Sequence, residues 1–342
     1  MGPGVAGKIQ KLVLFTGFSC NSRCHFCIDL NKRDIPDKST QAIVREMVEA
    51  RAQGVEYLEM IGGETTIRAD FLPLVRTAKK LGFQDVIIVT NGRMFSIPQF
   101  AKDTVEAGVT DIVFSIHGPD AQLHDLLTAA PGSFEQLLQG VANLRALGFK
   151  RLFANCTIVK NNMKRLPDIG RLFLKLNIHH AEFIFVDPTY GGAYSNFDPQ
   201  VPKISEAAPY MRELLDIGRA GGTRDWTVRY VPLCYFPEYL DQISEIREVA
   251  IFHTRHWAPD FKNEDVGASR RIAGRVKTQR CSGCSLFDQC EGIWKEYVNR
   301  YGDSELTPVV IPVPKATQEM RELSGHSRSA VDRVLSEVDR SA

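Results

Sequence analysis

No stretch of the 342-residue chain approaches the roughly 20 apolar residues needed to cross a bilayer. The longest mostly apolar runs, 109–116 and 181–186, are less than half that length. The first residues carry Lys8 and Lys11 with no apolar core between them, so no secretory signal is read there. Neither sign of charge is in excess. Forty-two Lys and Arg face 41 Asp and Glu, a formal net charge of +1, which offers no global field for a nucleic-acid partner. Low-complexity segments are absent too. What is present is a 44% hydrophobic, 24% charged composition, enough for a large core and incompatible with intrinsic disorder. The expectation is a cytoplasmic protein with neither a membrane nor a nucleic-acid partner.

Eight cysteines stand at 20, 24, 27, 156, 234, 281, 284 and 290. They crowd into two knots, which scattered structural disulfides would not do. In a reducing compartment, thiols two to five residues apart point to metal ligation rather than bridges. Cys156 lies inside an expected strand and reads as a small buried thiol.

Short apolar runs alternate with amphipathic stretches from residue 12 to about 186. Strands are expected at 12–17, 55–61, 85–90, 111–116, 151–158 and 182–186, and helices at 39–52, 70–81, 97–107, 133–147 and 164–176. Gly54, Gly82, Gly108 and Gly148 fall where helix C-termini need them, and Ser39 and Ser133 fall where N-caps should. Consecutive strands joined by helices imply a parallel α/β sheet, with function in the loops at the C-terminal strand ends. The cysteine loop, Gly62-Gly63-Glu64, Thr90-Asn91-Gly92 and Ser115-Ile116-His117-Gly118 all fall there. Residues 187–203 are turn-rich, and a helix is expected at 204–218. From 225 to 300 the chain reads as irregular, charged and cysteine-bearing, and 315–342 as a polar helix or tail. Two domains are expected, 1–200 and 201–342.

Cys20, Cys24 and Cys27 follow the first strand directly. Three thiolates converge on one face of a metal centre without completing four-fold ligation; zinc would need a fourth ligand, whereas a four-iron cluster would keep one iron open. The C-x3-C-x2-C spacing with Phe26 before its last cysteine resembles the signature of the radical S-adenosylmethionine (radical SAM) superfamily. Gly62-Gly63-Glu64 resembles that family's GGE motif one βα unit later. The resemblance covers roughly residues 12–190. It implies a partial (β/α)6 TIM-like barrel with a small irregular cysteine-rich C-terminal domain.

The resemblance further implies an oxygen-sensitive enzyme in which S-adenosylmethionine (SAM) chelates the open iron. One electron would then cleave its C–S bond to methionine and a 5′-deoxyadenosyl radical, which abstracts a substrate hydrogen. Cofactor-binding roles follow for Phe26, Gly62, Gly63, Glu64, Ser115, Asn155 and Asp187. Gly62 and Gly63 would let their backbone approach the methionine moiety, Phe26 would pack near adenine, and Asp187 would meet SAM or substrate. For Glu64 two readings stand, an acceptor for the SAM ammonium or a cap on the next segment. Ser115 and Asn155 are either SAM contacts or ordinary strand polar groups.

Cys281-x2-Cys284-x5-Cys290 needs a fourth ligand, and Cys234 in VPLCYFP is the other cysteine of that half, on an expected short strand. Four thiolates suit zinc or a [4Fe–4S] cluster equally by number. The spacing resembles the middle of the SPASM/twitch extension of radical SAM enzymes. The motif's next cysteine would fall at 294, where this chain has Trp294, so one auxiliary cluster is expected rather than two. With the first knot this makes two [4Fe–4S] clusters.

Weaker substrate candidates are Asn91, His117, Lys160 and Tyr190, each with an ordinary loop or turn role as its alternative. Tyr194 and Asn196 share that standing. His179-His180 reads as loop. The basic run Arg270, Arg271, Arg275 and Lys277 reads first as a solvated face and second as an anion site. With the barrel starting by residue 12, no fused N-terminal peptide-recognition domain is expected. That tilts the substrate toward a small molecule such as a nucleoside or sugar, with a ribosomally made peptide next. An electron donor such as flavodoxin or ferredoxin is the implied partner. A metal-stapled electron carrier or binding module is the reading from another class, and the GGE motif speaks against it.

Overall fold

A computed structural model describes residues 7–310 of the chain; the expected helix or tail at 315–342 lies outside them. Nine strands form one sheet: β1 (Ile9–Phe15), β2 (Tyr57–Ile61), β3 (Asp85–Thr90), β4 (Asp111–Ser115), β5 (Leu152–Ile158), β6 (His180–Phe185), β7 (Asp225–Arg229), β8 (Phe252–Trp257) and β9 (Lys262–Asn263). Their spatial order is β7-β6-β5-β4-β3-β2-β1-β8-β9, parallel except for the last pair. The helices are α1 (Thr40–Ala52), α2 (Phe71–Lys80), α3 (Pro98–Ala107), α4 (Ala121–Thr128), α5 (Ser133–Ala146), α6 (Leu166–Lys175), α7 (Gly191–Ser195), α8 (Phe197–Gln200), α9 (Ile204–Ala220), α10 (Ser244–Ile251), α11 (Val266–Ser269) and α12 (Lys295–Tyr301). A two-stranded antiparallel ribbon pairs β10 (Arg275–Val276) with β11 (Ile293–Trp294).

The six expected strands therefore form the parallel βα series, with end positions moved by a few residues. Ser39 caps α1, its hydroxyl accepting from the Ala42 amide at 3.2 Å. Ser133 does not cap α5: Gly132 holds that place and Ser133 is the first helical residue, its hydroxyl donating to Asp125 Oδ1 at 2.8 Å. Residues after 200 add β7 to one edge of the sheet and β8–β9 to the other. His180 opens β6 rather than lying in a loop.

Strand alternation separates two environments. Leu12, Leu14, Leu58, Met60, Val86, Ile88, Ile112 and Phe114 are fully buried and share one apolar core with the helices. Each such side chain contributes about 1.5–3 kcal/mol by leaving water. The opposite face is polar and carries Lys11 paired with Glu59 at 2.6 Å, Ser115, Asn155, Glu182, Arg229 and His256. The edge strand β7 and β8 near the opposite edge are tied through α10. Glu248 Oε2 accepts from Arg229 Nη1 at 2.9 Å, and its Oε1 accepts from the Thr254 hydroxyl at 3.0 Å. No helix among the described residues is long and apolar enough to cross a membrane.

Candidate functional site

The first cysteine loop leaves β1 and is gripped by backbone on several sides. The Arg23 amide donates to Thr128 O at 2.9 Å and the His25 amide to Leu127 O at 3.1 Å, both at the end of α4. The Glu64 amide donates to Ser19 O at 2.8 Å, and Asp37 Oδ1 accepts from the Phe18 and Ser19 amides. From the far side, the Gly192 amide of α7 donates to Cys27 O at 2.8 Å. Only glycine fits there, because a Cβ on Gly192 would lie 2.1 Å from His25 O. The Gly-rich segment after β6 thus buttresses the cysteine loop, leaving Tyr190 exposed at its start.

All eight cysteines are unbridged. Burial raises the pKa of the Cys24 thiol, and the neighbouring Cys27 and Cys20 raise it further, since anionic sulfurs repel. Burial likewise pushes Cys27 up to about 11 and raises Cys20. Three thiols so close, each costly to ionise alone, form a donor set that a cationic centre would relieve by deprotonating them. The Ser22 amide donates to Cys20 Sγ at 3.4 Å, as amides do to cluster thiolates. Among the described residues, no three His, Cys, Asp or Glu groups are gathered closely enough for a single metal ion.

Around this loop the predicted site residues take specific places. Glu64 is buried and caps the turn Thr65–Ile67. Its Oε1 accepts from the Thr66 amide and the Thr66 and Thr90 hydroxyls, and its Oε2 from the Asn91 amide at 2.6 Å. Burial raises its pKa while those donors oppose the shift. Of the two readings, the capping one is built into the structure, and Oε2 keeps room for one more donor. A Cβ on Gly63 would lie 2.1 Å from Ser19 O, so this glycine is required by the loop's own packing.

Asn91 Nδ2 donates to Asn21 Oδ1 at 2.6 Å, tying the end of β3 to the cysteine loop. Phe26 is buried edge-on against His117, ring centroids 4.8 Å apart. His117 Nδ1 accepts from the Thr157 amide at 3.2 Å, and burial lowers its pKa to about 3, so the ring is a neutral, satisfied turn histidine. Ser115 and Asn155 are register partners on the polar face. Asp187 Oδ1 accepts from the Thr189 amide at 2.8 Å, and burial raises its pKa. Lys160 Nζ donates to Asp198 O at 2.6 Å, away from the cysteine loop. Cys156 is fully buried in β5.

Sequence reasoning missed the inner positions of β7 and β8. His256 stands 5.5 Å from the Phe15 ring at the end of β1, and burial lowers its pKa to about 3. The polar alternation in FHTRHW carries a strand signal that the charged surroundings obscured.

The second knot closes as a group. Cys234, Cys281, Cys284 and Cys290 line one pocket with apolar Leu233 and Leu286. Cys234 sits on the 3-10 turn Leu233–Tyr235, not on a short strand. Burial pushes its thiol up to about 11, and the other three sulfurs add to the shift. Cys290 Sγ accepts from the Leu233 and Gly292 amides at 3.5 and 3.2 Å, and Cys284 Sγ from the Val309 amide at 3.5 Å. Trp294 is buried against Tyr230, ring centroids 4.8 Å apart, filling the place where a further cysteine would fall in the extension's spacing. The basic run is a solvated face only in part: Arg271 is exposed, whereas Arg270 and Arg275 are buried, because Glu291, Glu248 and two aromatic rings receive them.

Residues 14–173 match the model of the radical SAM superfamily, so this part of the chain is a radical SAM domain within a superfamily of enzymes. More particular likenesses come separately from sequence and from structure. In sequence, the chain is 29% identical over 173 residues to the AdoMet-dependent heme synthase of Oleidesulfovibrio alaskensis, covering 50% of this chain and 44% of that one. It is 30% identical over 158 residues to the mycofactocin maturase MftC of Mycobacterium ulcerans, covering 45% and 42%. The chain spans about half the length of the curated relatives it matches. In structure, it resembles anSMEcpe with bound AdoMet at a TM-score of 0.63 and 14% identity, covering 97% of this chain and 100% of that one. It also resembles Streptococcus suis SuiB bound to S-adenosylmethionine, at a TM-score of 0.61 and 17% identity, covering 86% and 74%. The structural likenesses establish a shared fold that runs through the cysteine-rich C-terminal region.

Proposed function

We propose that the chain is a radical SAM enzyme that cleaves SAM reductively and abstracts a hydrogen atom from its substrate, with one auxiliary [4Fe–4S] cluster in the second knot. The observation carrying this reading is the half-buried cysteine trio beyond the C-terminal end of β1, braced by the GGE turn at the end of β2. Cys20, Cys24 and Cys27 would hold the first cluster. When bound and reduced, that cluster supplies the electron that splits SAM into methionine and a 5′-deoxyadenosyl radical. Ser115 and Asn155, side by side on the polar face, would orient SAM by hydrogen bonding. The remaining Oε2 valence of Glu64 would accept from its ammonium. Phe26 and neutral His117 wall the loop's inner side and keep water from it. An electron donor such as flavodoxin or ferredoxin would serve both clusters.

Cys234, Cys281, Cys284 and Cys290 would ligate the auxiliary cluster. Amide donors to two of these sulfurs suit thiolate ligation, and the likeness of the C-x2-C-x5-C spacing to the SPASM/twitch extension favours a cluster over zinc.

For the substrate, a small molecule and a ribosomally made peptide compete. The sequence relatives include enzymes named for heme synthesis, GTP cyclisation and mycofactocin maturation, but each match covers only about half of this chain. The full-length fold likeness includes SuiB bound to its precursor peptide SuiA and anSMEcpe bound to a peptide, which favours the peptide reading. Anaerobic incubation of reconstituted protein with dithionite and SAM tests the activity: 5′-deoxyadenosine should form. Yields equal to a Cys24→Ala control, with the cluster loaded, would defeat the proposal.

A further inference from the structure

Two arginines of the basic run at 270–275 are buried at evident cost. Their partners converge on one short turn. Arg270 grips Glu291 in a bidentate pair, Nε to Oε2 at 3.0 Å and Nη2 to Oε1 at 3.2 Å, and Arg271 Nε lies 3.5 Å from the same carboxylate. Arg275 Nη2 donates to Gly292 O at 2.8 Å. Gly292 in turn gives its own amide to Cys290 Sγ at 3.2 Å. Its φ of 86° and a Cβ position only 2.2 Å from Val276 O leave no room for another residue.

Arg275 is itself rigidly held. Its side chain is fully buried, with the guanidinium carbon 4.7 Å from the Trp294 ring centroid and 5.5 Å from that of Tyr230. Tyr230 takes a left-handed conformation, φ 66°, and its amide donates to Glu245 Oε1 at 2.6 Å. The same oxygen lies 4.0 Å from Arg275 Nη2, so it offsets part of the cation. Arg275 Nε and Nη1 have no partner. Strain and desolvation are thus concentrated beside one sulfur ligand.

We propose that this arginine run is a clamp on the Cys290–Gly292 turn, and that Arg275, as a positioning residue acting through Gly292, sets the reduction potential of the cluster in the second knot. The inference rests on the auxiliary-cluster reading above. Amide donors to a ligand sulfur and nearby positive charge favour the reduced cluster and raise its potential. Removing Arg275 frees the Gly292 carbonyl, lets the N–H···S bond turn away, and withdraws a partly compensated cation. All three lower the potential.

The test uses the full chain carrying Cys20→Ala, Cys24→Ala and Cys27→Ala, so that any cluster signal comes from the second knot. Arg275→Met and Arg275→Lys are added to that background, and each protein is reconstituted anaerobically. Iron and sulfide are counted, and the midpoint is followed by electron paramagnetic resonance during redox titration. The background should hold about four irons. The Met variant should show a more negative midpoint and altered line shape, and the Lys variant an intermediate shift. A fully loaded Met variant with unchanged midpoint and spectrum overturns the proposal. Iron lost in the Met variant but kept in the Lys variant supports the clamp; iron lost in both overturns it in favour of plain packing. A background with no iron–sulfur signal would instead sink the auxiliary-cluster reading itself, and the clamp with it.

Discussion

The two cysteine knots solve one problem with different materials. The first is held chiefly by main chain, with amides and carbonyls from α4, α7, the end of β2 and the residues after β1 gripping its loop and the side chains of Asp37 and Asn91 assisting. The second is fixed by side chains, with Arg270 and Arg275 gripping a turn, Trp294 and Tyr230 packing on a guanidinium, and Cys234 arriving from a separate segment. A site built from parallel strand ends inherits its shape from topology and tolerates side-chain change around it. A site outside the sheet depends on particular residues, and single substitutions should reach its metal chemistry.

The strongest way to break this contrast is to remove one sulfur from each knot. Cys24→Ala should abolish 5′-deoxyadenosine formation, measured by chromatography, and lower iron from about eight to about four per chain. Cys290→Ala should cost a similar amount of iron yet leave SAM cleavage within about tenfold of the unmodified protein. Equal loss of cleavage in both would mean the knots are one functional unit.

Next in size is Trp294→Ala, which should destabilise by about 3–5 kcal/mol as a buried aromatic is lost. Thermal unfolding reads the loss, and iron should leave the second knot first. Preferential loss from the first knot would reverse the contrast. Gly192→Ala addresses the other side. Its Cβ would collide with His25 O, an overpacking of about 1–3 kcal/mol, and the iron deficit should fall on the first knot. An unshifted melting temperature with full iron would show that the α7 buttress is dispensable.

The smallest effect is acid sensitivity. His117 and His124 are buried neutral beside the first loop, with pKa values lowered to about 3 and about 4. Between those values and the ordinary histidine value the unfolded chain binds more protons than the folded one. Stability is therefore complete above about pH 6.5 and falls as pH drops, by at most about 1.4 kcal/mol per pH unit for each histidine. Hydrogen exchange at pH 7 and pH 5 should show faster opening in α4 than around Cys284, and His124→Gln should flatten the difference. Faster opening around Cys284 would contradict it.

Much of this architecture was legible in the sequence because it rests on local signals. The βα rhythm of residues 12–186 follows from apolar periodicity and from glycines at helix ends, where Gly54, Gly82, Gly108 and Gly148 all take positive φ. Cysteine spacing identified both knots, and Cys234 does line the second cavity. β7 and β8 escaped notice because their inner faces carry Arg229, Thr254 and His256, whose burial depends on partners far away in the chain. The role of the arginines was misread for the same reason: a charge run looks solvated until Glu248 and Glu291 are brought beside it. Glu64 was the opposite case, a residue whose local capping geometry was visible and whose burial was not.

The position of β1 has a consequence for biogenesis. It pairs with β2 on one side and with β8 on the other, and Lys38 just beyond the cysteine loop donates to Trp257 O at 2.9 Å. One flank of the strand that launches the first cysteine loop thus stays open on the ribosome until residue 257 has been made. Such a distant closure is slow and leaves an edge vulnerable in the meantime. A cofactor offered to the nascent chain before β8 emerges would find the footing of the cysteine loop incomplete.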